Sequence, residues 1–218
     1  WPRLLAQQTG IPVNDYSCNG RTSRDTLERI DQAIASGDLH RGTRAVAISV
    51  GANNYWGPGL ANGVNVFNYN EVERNYVEDI RTAARKIRSV APHAKIIMPG
   101  MLSVTEPTGL NGLCWVNLQN PLKDLTTLPM RDMQLGTPLP FVQNVENNLR
   151  WVQAQAARAI GAEFIDIKEM TKGNNTCAPA DVRYVSGYFD NTTRDYNMVY
   201  HPSREGSRFV AGQVAARL

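Results

Sequence analysis

The 218-residue sequence has no apolar run near the ~18 residues that a membrane-spanning helix needs, which excludes a protein built of such helices. A strong charge of one sign is also missing. The 23 Lys+Arg stand against 20 Asp+Glu, a net +3, and the basic residues read as dispersed along the chain. Polyanion binding needs basic residues concentrated on one face, so nucleic acid is not an expected partner. Cysteine is scarce, and Cys18, Cys114 and Cys177 lie too far apart for a Cys-x-x-Cys metal knuckle. Their odd number leaves one thiol over. Gly57, Gly59 and Gly63 lack dinucleotide-fingerprint spacing and Pro58 interrupts them, so no phosphate loop is present. Repeats and Pro/Gly/Ser-rich linkers are absent, which reads as a single domain over residues 1–218.

What is present is the composition of an ordinary globular domain, 42% hydrophobic and 20% charged, with 17 Gly and 12 Pro close to average usage. The sequence starts at Trp1 with neither an initiator Met nor a signal peptide, and a preceding segment is expected to have been removed. Asn174-Asn175-Thr176 and Asn191-Thr192-Thr193 fit the N-glycosylation pattern. With the dispersed cysteines they point to a secreted or extracytoplasmic, disulfide-permissive setting.

The clearest strand is Ala45-Val46-Ala47-Ile48-Ser49-Val50, nearly all apolar and stopped by Gly51; the run predicts a strand buried on both faces of a parallel sheet. Shorter strands are expected over 95–98 and 163–167, and a weaker one from Val13 to Cys18. Leu27, Ile30 and Ile34 recur at helical spacing behind Thr22-Ser23-Arg24-Asp25, a capping-box pattern. Tyr76, Ile80, Ala84 and Ile87 mark a second helix before Pro92, and Val142, Val145, Leu149, Val152, Ala156 and Ile160 a third. Ser203 is placed to cap a last helix carrying Val210, Val214 and Leu218 on one face, while Trp1 to Ala6 reads as a helix with Pro2 in its first turn. This alternation predicts an α/β fold around a central parallel sheet, with a ligand crevice at the carboxyl ends of the strands. Met101 to Pro140, without clear periodicity, is expected to form a lid or pocket wall.

Three loop segments fall at that catalytic edge: Ser17-Cys18-Asn19-Gly20, Gly51-Ala52-Asn53-Asn54 and His201-Pro202-Ser203-Arg204-Glu205-Gly206. Gly20 lets a backbone N–H approach a ligand closely, and the helix opening behind it adds free N–H groups and a positive dipole end. The plainer reading is a turn that needs Gly for steric reasons. Asn53 ends the buried strand with a neutral amide donor that can stabilise an oxyanion without desolvating a charge; Asn54 can support it, and Trp56 can wall a pocket. Equally, Asn there can serve as a turn residue tolerant of left-handed geometry. Pro202 biases His201 toward extended backbone, so its imidazole projects from a loop as a general base. His40 precedes a strand and His93 follows a helix, which puts both at the far end of the sheet.

Cys18-Asn19-Gly20, Gly51-Ala52-Asn53-Asn54 and His201-Pro202-Ser203 with Gly206, in this order, resemble the blocks of the SGNH (GDSL-type) hydrolase superfamily. Trp1-Pro2-Arg3-Leu4-Leu5-Ala6 is similar to the segment that follows the nucleophile block in secreted actinobacterial esterases and lipases of that group. The resemblance implies a flavodoxin-like three-layer α/β sandwich whose first strand lies upstream of residue 1. It implies Gly20 and Asn53 as oxyanion donors and His201 as the base. The nucleophile block is missing, since no Gly-Asp-Ser occurs. The usual Gly-x-Asn-Asp ends here in Asn54, and the aspartate common three residues before the histidine is Met198, whose carbonyl is expected to orient His201 in a Ser/His dyad; Asp195 is the nearest carboxylate in sequence. In secreted relatives the cysteine of the first block often pairs upstream, which implies a bond between Cys114 and Cys177 and leaves Cys18 for an absent partner.

The expected activity is therefore that of a serine ester hydrolase, without metal or organic cofactor, acting on a small ester, with its serine on a missing N-terminal peptide. The alternative is a non-catalytic relative binding an acylated glycan or lipid in the same crevice; a generic nucleotide-binding domain ranks last. Leu110, Leu113, Trp115 and Leu118 could shape a pocket for a short or medium acyl chain.

Overall fold

Helix and strand alternate along the chain, and a computed structural model describes residues 1–107, 112–120 and 132–218 of it. The elements are α1 (Pro2–Thr9), α2 (Ser23–Ala35), β1 (Ala45–Ala47), a 3-10 turn (Ala52–Tyr55), α3 (Gly57–Ala61), α4 (Tyr69–Val90), β2 (Lys95–Pro99), β3 (Leu113–Leu118), β4 (Met133–Thr137), α5 (Pro140–Ile160), β5 (Glu163–Ile165), α6 (Ile167–Met170), β6 (Phe189–Asp190) and α7 (Arg204–Ala215). The fold is α/β with a parallel sheet, the class that the alternation predicts. Two compact units divide the residues. A parallel-sheet unit holds Pro2–Met101, Asn147–Asp166 and Ala211–Leu218, and a mixed-sheet unit holds Trp1, Leu102–Glu146 and Ile167–Val210.

In the parallel-sheet unit the strand order is β1-β2-β5, all parallel, with Val46 opposite Ile96 and Met98 opposite Phe164. Ile96, Ile97 and Met98 of the central β2 are buried. The expectation for β1 needs correction. Its ladder covers three residues, extended by one bond from Ile48 N to Ile97 O at 2.9 Å, and Ala47 is exposed rather than buried. β1 lies at the edge of this sheet, so only one neighbouring strand covers it. An apolar run reports the capacity for burial, but pairing decides it. Val13 to Cys18 likewise forms no strand; the Tyr16 hydroxyl instead donates to Asp38 Oδ2 at 2.5 Å.

The helices begin where their caps place them. Asp25 Oδ2 accepts from both the Thr22 amide and the Thr22 hydroxyl at 2.8 Å, closing the start of α2. Asn68 caps α4 by accepting from Glu71 N at 3.4 Å, and Val72, Tyr76, Ile80, Ala84 and Ile87 form its buried stripe. Each large aliphatic side chain so buried contributes about 1.5–3 kcal/mol. Leu149, Val152, Ala156 and Ile160 form the buried stripe of α5 at the same spacing. Among the described residues no helix is long and apolar enough to cross a membrane.

The mixed-sheet unit holds the order β4-β3-β6, with β3 antiparallel to β4 and parallel to β6. The segment expected as an irregular lid thus supplies two strands. Leu110 lies outside the described residues; Leu113 is buried, Leu118 is half-buried, and Trp115 donates its indole N–H to Thr137 Oγ1 at 3.2 Å. Cys114 of β3 is disulfide-bonded to Cys177, and Cys18 is a free, exposed thiol. Beside that bond, Thr176 Oγ1 accepts from Cys114 N at 3.1 Å and donates to Val104 O at 2.8 Å. The buried Glu146 carboxylate accepts from Val104 N at 2.7 Å and Thr105 N at 3.2 Å, so two backbone amides of the chain that follows β2 are satisfied by one side chain. α7 starts as expected, with Gly206 N donating to Ser203 Oγ at 3.1 Å, and Val210 and Val214 are buried; Leu218 lies beyond the helix and is exposed.

Candidate functional site

Gly20 and Asn53 both belong to the parallel-sheet unit, on the connections that lead into α2 and out of β1. Gly20 has φ of 74°, the left-handed region that glycine enters without cost. Asn53 sits in the 3-10 turn, and its Nδ2 donates to the carbonyl of Arg21 at 3.2 Å, so the carboxamide is tied to the residue next to Gly20. An amide nitrogen carries two hydrogens, and the second has no partner among the described residues.

The turn that carries Asn53 is fixed from below. Val50 O, at its entry, accepts from the Tyr76 hydroxyl at 3.1 Å and from Gln153 Nε2 at 2.9 Å. Gly51 follows with φ of 134°, and a Cβ there would come within 2.6 Å of Leu149 Cδ1 and 2.9 Å of Tyr76 Cε2. Only glycine fits. Burial pushes the Tyr76 and Tyr55 phenols well above their ordinary range, with Glu73 adding to the shift at Tyr55, so both stay neutral donors at working pH.

Asn54 is buried and faces Ser23 with both ends of its amide. Its Oδ1 accepts from Ser23 N at 3.0 Å and its Nδ2 donates to Ser23 Oγ at 2.7 Å. The Ser23 hydroxyl passes the chain on, donating to Asp79 Oδ2 at 2.7 Å. Where the resembling blocks carry a carboxylate at position 54, this chain has an amide, and a carboxylate stands one hydroxyl further away. Ser23 and Asp79 escaped the sequence reading. Asp79 was nonetheless visible as an acidic residue on the apolar stripe of α4, between Tyr76 and Ile80.

Burial raises the Asp79 carboxyl above its usual value, opposed by the Ser23 hydroxyl and by Arg24 at 3.6 Å. A raised folded-state pKa stabilises below the unfolded value of about 3.9 and loses that stabilisation as pH rises through the folded value. Asp79→Asn keeps an oxygen for Ser23 and removes the buried charge. It is expected to raise the melting temperature by about 2 °C at pH 7 and to leave it unchanged at pH 3, as circular dichroism would record. A lower melting temperature at pH 7 would show that Arg24 outweighs burial.

His201 belongs to the mixed-sheet unit and is exposed. Its Nδ1 lies 2.9 Å from Val199 O, and a carbonyl can only accept, so Nδ1 carries the proton and Nε2 is left as the basic nitrogen. The carbonyl against the ring nitrogen is thus that of Val199. The Met198 carbonyl accepts instead from the His201 amide at 3.2 Å and from the Ser186 hydroxyl at 3.0 Å. Ser186 is fully buried, and its amide donates to His201 O at 3.2 Å, pinning the loop from behind. Tyr200, just before the histidine, has φ of 57°, a left-handed conformation that this bracing sustains. Asp195 is 3.8 Å from Arg204 in an exposed ion pair.

His40 and His93 lie on the α2–β1 and α4–β2 connections, at the amino ends of parallel strands, as their positions predict; His40 Nδ1 accepts from Gly42 N at 3.0 Å. Among the described residues no cluster of His, Cys, Asp or Glu could hold a metal ion.

A family model described as GDSL-like lipase/acylhydrolase matches residues 1–209. A curated protein of Streptomyces coelicolor, Lipase 2, is 19% identical in an alignment 208 positions long that covers 85% of this chain and 65% of that protein. The chain spans just under two thirds of the length of that relative. An extracellular lipase of Streptomyces rimosus has a crystal structure matching 96% of this chain and 85% of its own, at 16% identity and a TM-score of 0.56. The phospholipase A1 of Streptomyces albidoflavus NA297 matches 100% of this chain and 84% of its own, at 18% identity and a TM-score of 0.55. At these identities the structural likeness is one of fold.

Proposed function

The chain belongs to the GDSL-like lipase/acylhydrolase family, and from that premise we propose that the complete protein is a carboxylic ester hydrolase whose nucleophilic serine lies on a segment outside these 218 residues. The serine hydroxyl attacks the ester carbonyl and His201 Nε2 takes its proton, forming a tetrahedral intermediate. The Gly20 amide and the Asn53 carboxamide hold the oxyanion, and His201 returns the proton to the leaving alcohol. Water, activated by the same nitrogen, then clears the acyl group. The substrate is a small ester with a short or medium acyl chain, and the Cys114–Cys177 bond fits an extracytoplasmic setting.

The observation that carries this reading is the Asn53 amide tied beside Gly20 with one N–H still to give. Removing one oxyanion donor costs about 10²–10³ in rate. Asn53→Ala in the complete protein is expected to lower kcat for p-nitrophenyl butyrate by that factor with little change in KM. Fluorophosphonate labelling of the complete protein tests the serine. A labelled peptide outside residues 1–218 supports the assignment, and an unlabelled protein returns it to the binding alternative.

A further inference from the structure

The parallel-sheet unit carries a groove that the proposed reaction does not use. It has a volume of about 540 Å³ and is lined by Arg81, Arg85, Arg88 and Ser89, together with the exposed Ala159 and the buried Ala84 and Ile160. Read along the chain, the arginines look dispersed. On α4 their spacings of four and three residues bring all three guanidinium stems onto one helix face within about 10 Å. The expectation that the chain has no basic cluster fails at this face.

Charge is not balanced there. Glu78 is the carboxylate that pairs within the cluster, at 3.9 Å from Arg81 and 3.0 Å from Arg85. Arg85 Nη2 also donates to Thr82 Oγ1 at 2.7 Å. Arg88 is held by a neutral group, its Nη2 donating to the carbonyl of Ile160 at the end of α5. Among the described residues three cations therefore face one anion. The carboxyl-terminal dipole of α4 accounts for a cation at Arg88 in the last turn, but not for Arg81 two turns earlier. A carboxylate ligand would be satisfied by one guanidinium fork. Several forks around one cavity suit a group with more acceptor oxygens and a charge near −2, which is a phosphate.

We propose that this groove binds a phosphate group, seated between Arg85 and Arg88. It is a second site. Arg88 lies about 18 Å along α4 from Tyr76, whose hydroxyl reaches Val50 O at the turn carrying Asn53. The inference does not depend on the ester-hydrolase reading.

Isothermal titration of the full chain with inorganic phosphate and with phenyl phosphate, at constant ionic strength in Tris chloride, tests it. Saturable binding of both with a Kd at or below about 1 mM is expected. Arg85→Gln with Arg88→Gln weakens both by at least about tenfold. Arg208→Gln, a control on α7 where Arg208 pairs with Glu205, leaves both unchanged. Absence of saturation, or equal affinity in the double variant and wild type, would overturn the site.

Discussion

Replacing His201 by alanine in the complete protein is expected to reduce ester turnover about 10⁶-fold, the loss seen when a serine hydrolase is deprived of its base. The physical reason is local. Val199 O fixes the proton on Nδ1, which leaves Nε2 basic, as the proposed reaction requires of the group that takes the serine proton, and a serine hydroxyl without an acceptor is a poor nucleophile near neutral pH. Because the ring is exposed and packs no core, its removal should leave the melting temperature within about 2 °C of wild type. Kinetics with p-nitrophenyl butyrate alongside thermal melting separate chemistry from folding. Turnover within tenfold of wild type would remove His201 from the base role, and with it the dyad.

Asp190→Ala is expected to be the most damaging single change to stability in the mixed-sheet unit. The Asp190 side chain is fully buried and accepts from the amides of Gly187, Thr192 and Thr193 and from both threonine hydroxyls, at 2.7–3.0 Å. Arg183 lies 3.6 Å away, also buried, with its guanidinium donating to Ala178 O and the two threonine hydroxyls. Removing one member of such a pair leaves the other charge uncompensated and costs about 3–5 kcal/mol, a fall in melting temperature of about 10 °C or more at this size.

Acid should expose the same carboxylate. Burial raises its pKa, but the Gly187, Thr192 and Thr193 donors outweigh burial and hold it below the usual range. Its stabilisation is therefore present above about pH 3.9 and lost as pH falls through the lower folded value. The gap between wild type and Asp190→Ala should narrow below about pH 3, which melting curves across pH would show. A gap of constant width would assign the loss to packing alone.

The helices were legible because their determinants are local. Thr22 and Asp25 announce the start of α2, and the apolar residues of α4 and α5 repeat with the helical period. The burial of β1 was misread because the same apolar run suits a central or an edge strand, and only the neighbour across the ladder distinguishes them. β3 and β4 went unseen because β3 pairs with β4 and β6, and β6 lies some 70 positions further on. The placement of Gly20, Asn53 and His201 on loops was readable from residue type and from their position between elements. The exchange of Met198 for Val199 at the imidazole depends on backbone angles at Tyr200, which no residue pattern specifies. Asp79 and the arginine face were written in the sequence at helical period, but a carboxylate and three guanidiniums draw notice only once the helix has chosen which side is buried.

The Cys114–Cys177 bond bears on how this protein can be produced. Three thiols allow three single bridges, and two of them, those that use the exposed Cys18, are wrong. In a bacterial cytosol that keeps thiols reduced, the covalent link between residues 63 apart would not form, and on later exposure to air Cys18 would compete for the unpaired partners. Recombinant yield of correctly bridged material should therefore follow the oxidising power of the host compartment and the presence of an isomerase more closely than it follows expression level.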